Sequence, residues 1–404
     1  MRASVTRWSV KICAAAIVVC LWNCPSVGAQ PSKRLIYLGI DTPQISDLPQ
    51  IVPDLEQSPF DGWVFSVTSD STRGRERRFD FTWENWGKRA FSQQELQPTV
   101  DTLRKTPFKR LTDNFIRVIT TPGDIDWFDA QDTVVANARL AGWVAKQGGM
   151  KGIFFDPEEY VSPLWDYHKQ RHASEKSFQD YAAQVRLRGA DVMRAFQAEY
   201  PDITILLAFG CSYIYHKEWP AMHGAPAFAA DTNDPKKLET FCYGLLAPFL
   251  DGMIEAAGPN VRLIDGTEHS YLTLRRKQFI QHRRAFEQHA LPFVADDQAY
   301  KRKVRLGFGI WVDALWHRDE DERGYFDAPP DGRTKFAGWD GADFSKNYWQ
   351  PDELQMSITN ALRESDQYVW LYSERLFFQG SDKNLPPAYE QAIRNARKAA
   401  ELPE

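Results

Sequence analysis

The chain lacks most of the patterns that announce a chemistry. It has five cysteines in 404 residues and no CxxC, so a cysteine-rich zinc site or a dithiol redox centre is not expected. No GxGxxG or P-loop follows any apolar run, which argues against dinucleotide and nucleoside-triphosphate sites. Gly307-Phe308-Gly309 comes nearest, but it lies inside a strand pattern and has no third glycine at the required position. GxSxG and HExxH are missing too, which removes the nucleophile elbow and the zinc-protease helix. Excess positive charge is also absent: the formal net charge is −5. A chain of that sign repels phosphate backbones, so nucleic acid is not an expected partner.

Long apolar runs are missing except at the start. Arg2, Arg7 and Lys11 precede an apolar run of eleven at 12–22, and Val27-Gly28-Ala29 then supplies small residues before Gln30. This is the pattern of a secretory signal peptide over 1–29. Eleven residues are too few for an ordinary membrane span, which needs about twenty, so an uncleaved anchor is the weaker alternative. The expected mature protein, 30–404, is secreted or periplasmic and free of the membrane after cleavage. Losing three positive charges with the signal moves its formal charge from −5 to −8. Of the cysteines only Cys211 and Cys242 stay in the mature chain. In an oxidising compartment they can pair or persist as two thiols, and the sequence leaves both open.

What is present is a repeating strand and helix alternation. Apolar runs at 34–41, 60–68, 115–120, 151–160, 203–209, 261–269, 304–312 and 367–374 read as eight strands. Helical spacing at 45–57, 92–105, 130–147, 177–199, 244–257, 275–290, 351–365 and 386–402 follows them in turn. Helix-to-strand connections are short, whereas those at 69–91, 160–176, 210–241 and 313–350 are long. Eight units predict an α/β fold, a (β/α)8 barrel forming one domain over 30–404, with its site built from the long loops where strands end. An open doubly wound sheet shares the alternation and is the rival architecture.

The fourth strand, KGIFFDPEEY at 151–160, runs from apolar residues into Asp156, Glu158 and Glu159. Residues two apart on extended chain face one way, so Asp156 and Glu158 face the mouth and Glu159 faces away, toward a basic partner on a helix. Other strand ends add Asp41, then Asp265, Glu268 and His269, then Asp313 and Glu374. Asp41 can equally begin the turn before Pro43, and His269 reads more readily as a rim histidine than as a ligand. Cleavage of a glycosidic bond needs two carboxyl groups, one protonated and one ionised, and crowded acids in a mouth keep one protonated. Fourteen tryptophans offer flat faces for sugar rings. Trp83 and Trp86, Trp127, Trp165 and Trp316 fall in the expected mouth loops.

FDPEEY resembles the fourth-strand signature of the DxE-type barrel glycosidases, the chitinase-like family 18 and more loosely the family 25 lysozymes. The resemblance implies that Glu158 is the general acid and Asp156 its partner. The eighth strand, bearing Trp370 and Tyr372, is similar to the tryptophan-bearing last strand of those barrels, which implies an indole floor under the sugar. The second carboxyl group is Glu268 or Glu374, with substrate contacts from Trp370, Tyr372, Trp83, Trp127, Trp316, Asp265, His269 and Asp41.

The expected function is therefore a secreted glycoside hydrolase acting on an extracellular polysaccharide or glycan, with a carbohydrate as its partner and no cofactor or metal. A barrel that binds glycans without cleaving them is the alternative. A metal-dependent hydrolase using Asp156, Asp265 and His269 is a third reading. The oligomeric state is not legible in the sequence. The polar run at 317–333 reads as a solvated loop, since it lacks the order of a calcium loop.

Overall fold

A computed structural model of the chain describes residues 32–40, 42–69, 81–214, 235–314, 339–379 and 383–401. The expected signal segment, Asp41, Trp316 and the run at 317–333 lie outside the described residues. Nine strand segments form one wholly parallel sheet: β1 (Arg34–Gly39), β2 (Gly62–Phe65), β3 (Phe115–Ile119), β4 (Gly152–Asp156), β5 (Thr204–Leu207), β6 (Arg262–Asp265), β7 (Val304–Leu306), β8 (Phe308–Trp311) and β9 (Tyr368–Ser373). Their spatial order is β7-β6-β5-β4-β3-β2-β1-β9-β8. The first and last members are consecutive in the chain, separated by Gly307 alone. They are the two halves of the expected seventh strand: β7 pairs with β6, and β8 pairs with β9. The ring therefore closes through one split strand, and eight strand positions make a parallel α/β barrel rather than an open sheet.

The helices of seven residues or more among the described residues are α1 (Leu48–Gln57), α2 (Gln93–Lys105), α3 (Asp132–Gln147), α4 (Phe178–Glu199), α5 (Leu246–Ala256), α6 (Arg276–Arg284), α7 (Asp297–Lys303), α8 (Pro351–Glu364) and α9 (Pro387–Ala399). Capping sets several of their starts. Ser92 and Glu95 form a reciprocal capping box on α2, and Ser177 with Asp180 does the same on α4. The short α7 is absent from the periodicity because it is almost all polar; Asp296 caps it through the amides of Gln298 and Ala299. No described helix is long and apolar enough to cross a membrane. Cys211 and Cys242 are both free thiols.

Alternation along the strands decides which residues fill the barrel. Phe155 of β4 meets Phe196 of α4 at 6.1 Å and Phe249 of α5 at 6.2 Å, so it points outward. Its neighbour Phe154 meets Trp370 of β9 at 5.2 Å. Those strands are not adjacent in the sheet, so this contact crosses the interior. Asp156, two residues on, then lies on the same inner face one layer higher. The N-terminal end is sealed by ions: Arg397 of α9 binds Asp61 through two bonds of 2.6 and 2.9 Å, and Asp61 also accepts the Leu35 amide.

Candidate active site

At the other end of the barrel, where the strands finish, lies a cavity of about 310 Å³. Glu158, Asp156, Glu268, Glu374, His269, Trp370 and Tyr372 all line it, together with Arg117, Tyr160, Tyr271, Trp311, Leu38 and Ile40. Four acidic side chains from β4, the turn after β6, and the end of β9 thus meet in one place, as the barrel topology requires of strand-end residues.

Arg117 projects into this cavity from β3, and one guanidinium nitrogen binds Asp156 at 2.7 Å while another donates to Thr42 at 3.1 Å. Both ions are almost fully buried. Burial by itself would lower the Arg117 pKa, but the Asp156 carboxylate overrides it and holds the guanidinium charged. Asp156 also accepts the Glu158 amide at 3.2 Å and the Tyr160 hydroxyl at 3.2 Å. Among the described residues Glu158 forms no ion pair with an arginine. Burial, and then the charge of Asp156, pushes its carboxyl up to about 7.

Glu268 follows β6 on a single tight turn. Thr267 before it has φ 47° and ψ 57°, a left-handed backbone that is rare for a β-branched residue. Burial raises the Glu268 carboxyl well above the carboxylate range, and the charges of Glu158 and Asp156 raise it further. Tyr271 hydrogen-bonds it. Burial and these neighbouring charges thus favour the protonated carboxyl of Glu268 over its carboxylate. Glu374, the first residue after β9, receives the Tyr372 hydroxyl at 3.3 Å.

Two expected mouth acids are turned away from the cavity. Asp265 is fully buried and accepts the amides of Gly210 at 3.1 Å, Ser212 at 2.7 Å and Thr267 at 3.2 Å, and the Ser212 hydroxyl. It is not among the cavity residues, so its expected contact with substrate does not hold. Asp313, also fully buried, accepts the amides of Glu374 (3.0 Å), Arg375 (2.6 Å) and Leu376 (2.9 Å), and the Trp311 indole at 3.0 Å. Glu159 does face away from Asp156, but its carboxylate accepts the Trp165 amide of its own loop. With Asp265 committed elsewhere, the set Asp156, Asp265 and His269 does not converge. Among the described residues no three His, Cys, Asp or Glu side chains are placed to hold a metal.

The aromatic residues divide sharply. Tyr271 and Tyr372 stack at 5.6 Å with planes 11° apart, and Trp311 lies 5.9 Å from each. Trp370 closes the floor, its indole donating to the Gly266 carbonyl at 2.8 Å. A Cβ at Gly309 would come within 2.8 Å of that indole, so glycine there is what lets Trp370 lie flat across the barrel. Trp83 is half-buried and packs edge-on against the cavity residue Tyr160 at 5.2 Å, but does not itself line the cavity. Trp127 is a correction. It is fully buried against Trp165 and Phe249, with its indole on the Leu164 carbonyl, and offers no ring face to a ligand. Trp165 and Trp86 are core residues for the same reason.

Arg117, Tyr160, Tyr271 and Trp311 were not anticipated. A lone arginine inside FIRVIT was the available signal: alternation places it on the same face as Phe115, whose ring meets Tyr368 across the barrel at 5.7 Å.

No family model matches this chain, and no curated protein matches it. Among solved structures, a broad-specificity GH5-4 endoglucanase from an uncultured bacterium is 10% identical, covering 93% of this chain and 98% of its own, with a TM-score of 0.41. A Streptomyces coelicolor chain assigned as a chitinase A is 9% identical, covering 91% and 99%, with a TM-score of 0.36. A β-glucosidase from Thermotoga maritima is 10% identical over 87% and 86%, with a TM-score of 0.32.

Proposed function

We propose that this chain is an exported glycoside hydrolase that cleaves an extracellular polysaccharide or glycan. One observation carries the reading: three glutamates and an arginine-bound aspartate line a single aromatic-walled cavity at the strand-end face of a parallel barrel. Glu158 is the general acid. Its carboxyl is pushed up to about 7, so it holds a proton under mild conditions and gives it to the glycosidic oxygen as the bond to the sugar carbon breaks, while a water oxygen forms the new bond to that carbon, directly or after a carboxylate has done so. Asp156 is tied to Arg117 and keeps Glu158 in place through the bond to its amide.

The group that faces the developing positive charge on the sugar must be ionised. Burial and the neighbouring charges favour the protonated form of Glu268, so the ionised role is assigned to Glu374, the other glutamate of the cavity, with Glu268 as a hydrogen-bond donor. The Tyr271, Tyr372 and Trp311 cluster supplies apolar ring faces for the sugar, and Trp370 forms the floor. Export rests on the pattern at 1–29.

Incubating the purified protein with a panel of polysaccharides and counting new reducing ends tests this reading. Release from at least one glycan is expected. Saturable binding without release from any of them would replace the hydrolase with a glycan-binding barrel.

A further inference from the structure

The cavity glutamates lie on turns, not within strands, and a turn does not hold a carboxyl group still unless something fixes its backbone. Below each of the three is an aspartate that accepts from that turn. Asp156 takes the Glu158 amide. Asp265 takes the Thr267 amide, and Thr267 in its left-handed conformation directs Glu268 into the cavity. Asp313 takes three successive amides, Glu374 to Leu376, reaching across from the end of β8 to the end of β9. Asp156 also touches the cavity, but Asp265 and Asp313 do not. Both are fully buried, and neither is paired with a cation among the ion pairs of the described residues.

We propose that Asp265 and Asp313 are positioning residues, which act on the reaction only by fixing the backbone of the turns that present Glu268 and Glu374. This rests on the hydrolase reading above. A buried carboxylate with backbone amides as its partners is costly to retain for stability alone, whereas fixing a catalytic group to within a fraction of an ångström has a direct effect on rate. Asp61 provides the comparison. It is also buried and also accepts a backbone amide, but it seals the opposite end of the barrel with Arg397.

The test compares Asp265→Asn, Asp313→Asn and Asp61→Asn in the full chain, on a glycan that the wild type cleaves. An amide turns a donor toward backbone N–H groups that need an acceptor, so all three variants lower the melting temperature. The two mouth variants are expected to lose on the order of 10–100-fold in kcat with KM changed less than about threefold, and Asp61→Asn to keep kcat. Amide hydrogen exchange gives a readout independent of activity: Glu374, Arg375 and Leu376 exchange faster in Asp313→Asn, and Thr267 and Ser212 faster in Asp265→Asn. Faster exchange with unchanged kcat overturns the positioning role and leaves the hydrolase reading intact. Equal loss of kcat in Asp61→Asn also overturns it. If no glycan is cleaved by the wild type, the hydrolase reading fails and the positioning role fails with it.

Discussion

Arg117 and Asp156 form a buried ion pair of 2.7 Å inside the barrel, and Asp156 accepts the amide of Glu158, the proposed general acid. Burial and then the Asp156 charge push the Glu158 carboxyl up to about 7. Arg117→Met would strand the Asp156 carboxylate without its counter-charge. A loss of about 3–5 kcal/mol in unfolding free energy is expected, since removing one partner leaves an uncompensated buried charge. Urea unfolding measures it, and a loss below about 1 kcal/mol would contradict the pairing.

The raised carboxyl of Glu158 sets the pH dependence. A general acid must be protonated, so kcat/KM should fall as pH rises through about 7. The sign for stability is the same. A carboxyl whose folded pKa lies above its unfolded value contributes stability that is complete below the unfolded pKa and is lost as pH rises through the folded one. Glu159, also pushed up to about 7 by burial, adds to the trend. The melting temperature should therefore drop between pH 4.5 and pH 7, and drop less in Glu158→Gln.

The roles proposed for Glu268 and Glu374 differ in charge. Glu268→Gln exchanges one neutral hydrogen-bonding group for another of similar shape and is expected to keep activity within about tenfold of wild type. Glu374→Gln removes the carboxylate assigned to the developing positive charge and should cost on the order of 10³-fold or more in kcat. Steady-state kinetics at pH 6 distinguishes them, and the reverse ranking would exchange the two roles.

The aromatic residues should also fall into two classes. Trp311→Ala is expected to weaken saccharide affinity and, because the side chain is itself buried and its indole donates to Asp313, to lower stability as well. Trp127→Ala should cost about 3–5 kcal/mol of stability, as removal of a large buried side chain does, and leave affinity unaltered. Calorimetric titration and thermal unfolding of both variants check the division.

The barrel was legible because each strand carries a continuous apolar run and each helix a 3.6-residue period, with long connections on one face only. The split at Gly307 was not, because a glycine within an apolar run reads as strand until its two halves are seen to pair with different neighbours. Of the site, Asp156, Glu158, Glu268 and Glu374 were readable as acids at strand ends. Asp265 and Asp313 had the same signature and a different role, since position at a strand end does not say whether a carboxylate faces the cavity or the amides of the next turn. Trp127 was misplaced for a related reason: the loop after β3 folds back onto α5 instead of standing over the mouth, and loop composition carries no direction.

Glu158→Gln tests the central claim most directly. The amide matches the carboxyl in size and cannot donate a proton to a leaving oxygen. The account predicts a loss of about 10²–10⁴-fold in kcat on any cleaved glycan, with an unchanged far-ultraviolet circular dichroism spectrum and saccharide affinity preserved. Turnover within a few-fold of wild type in a folded Glu158→Gln protein would contradict it.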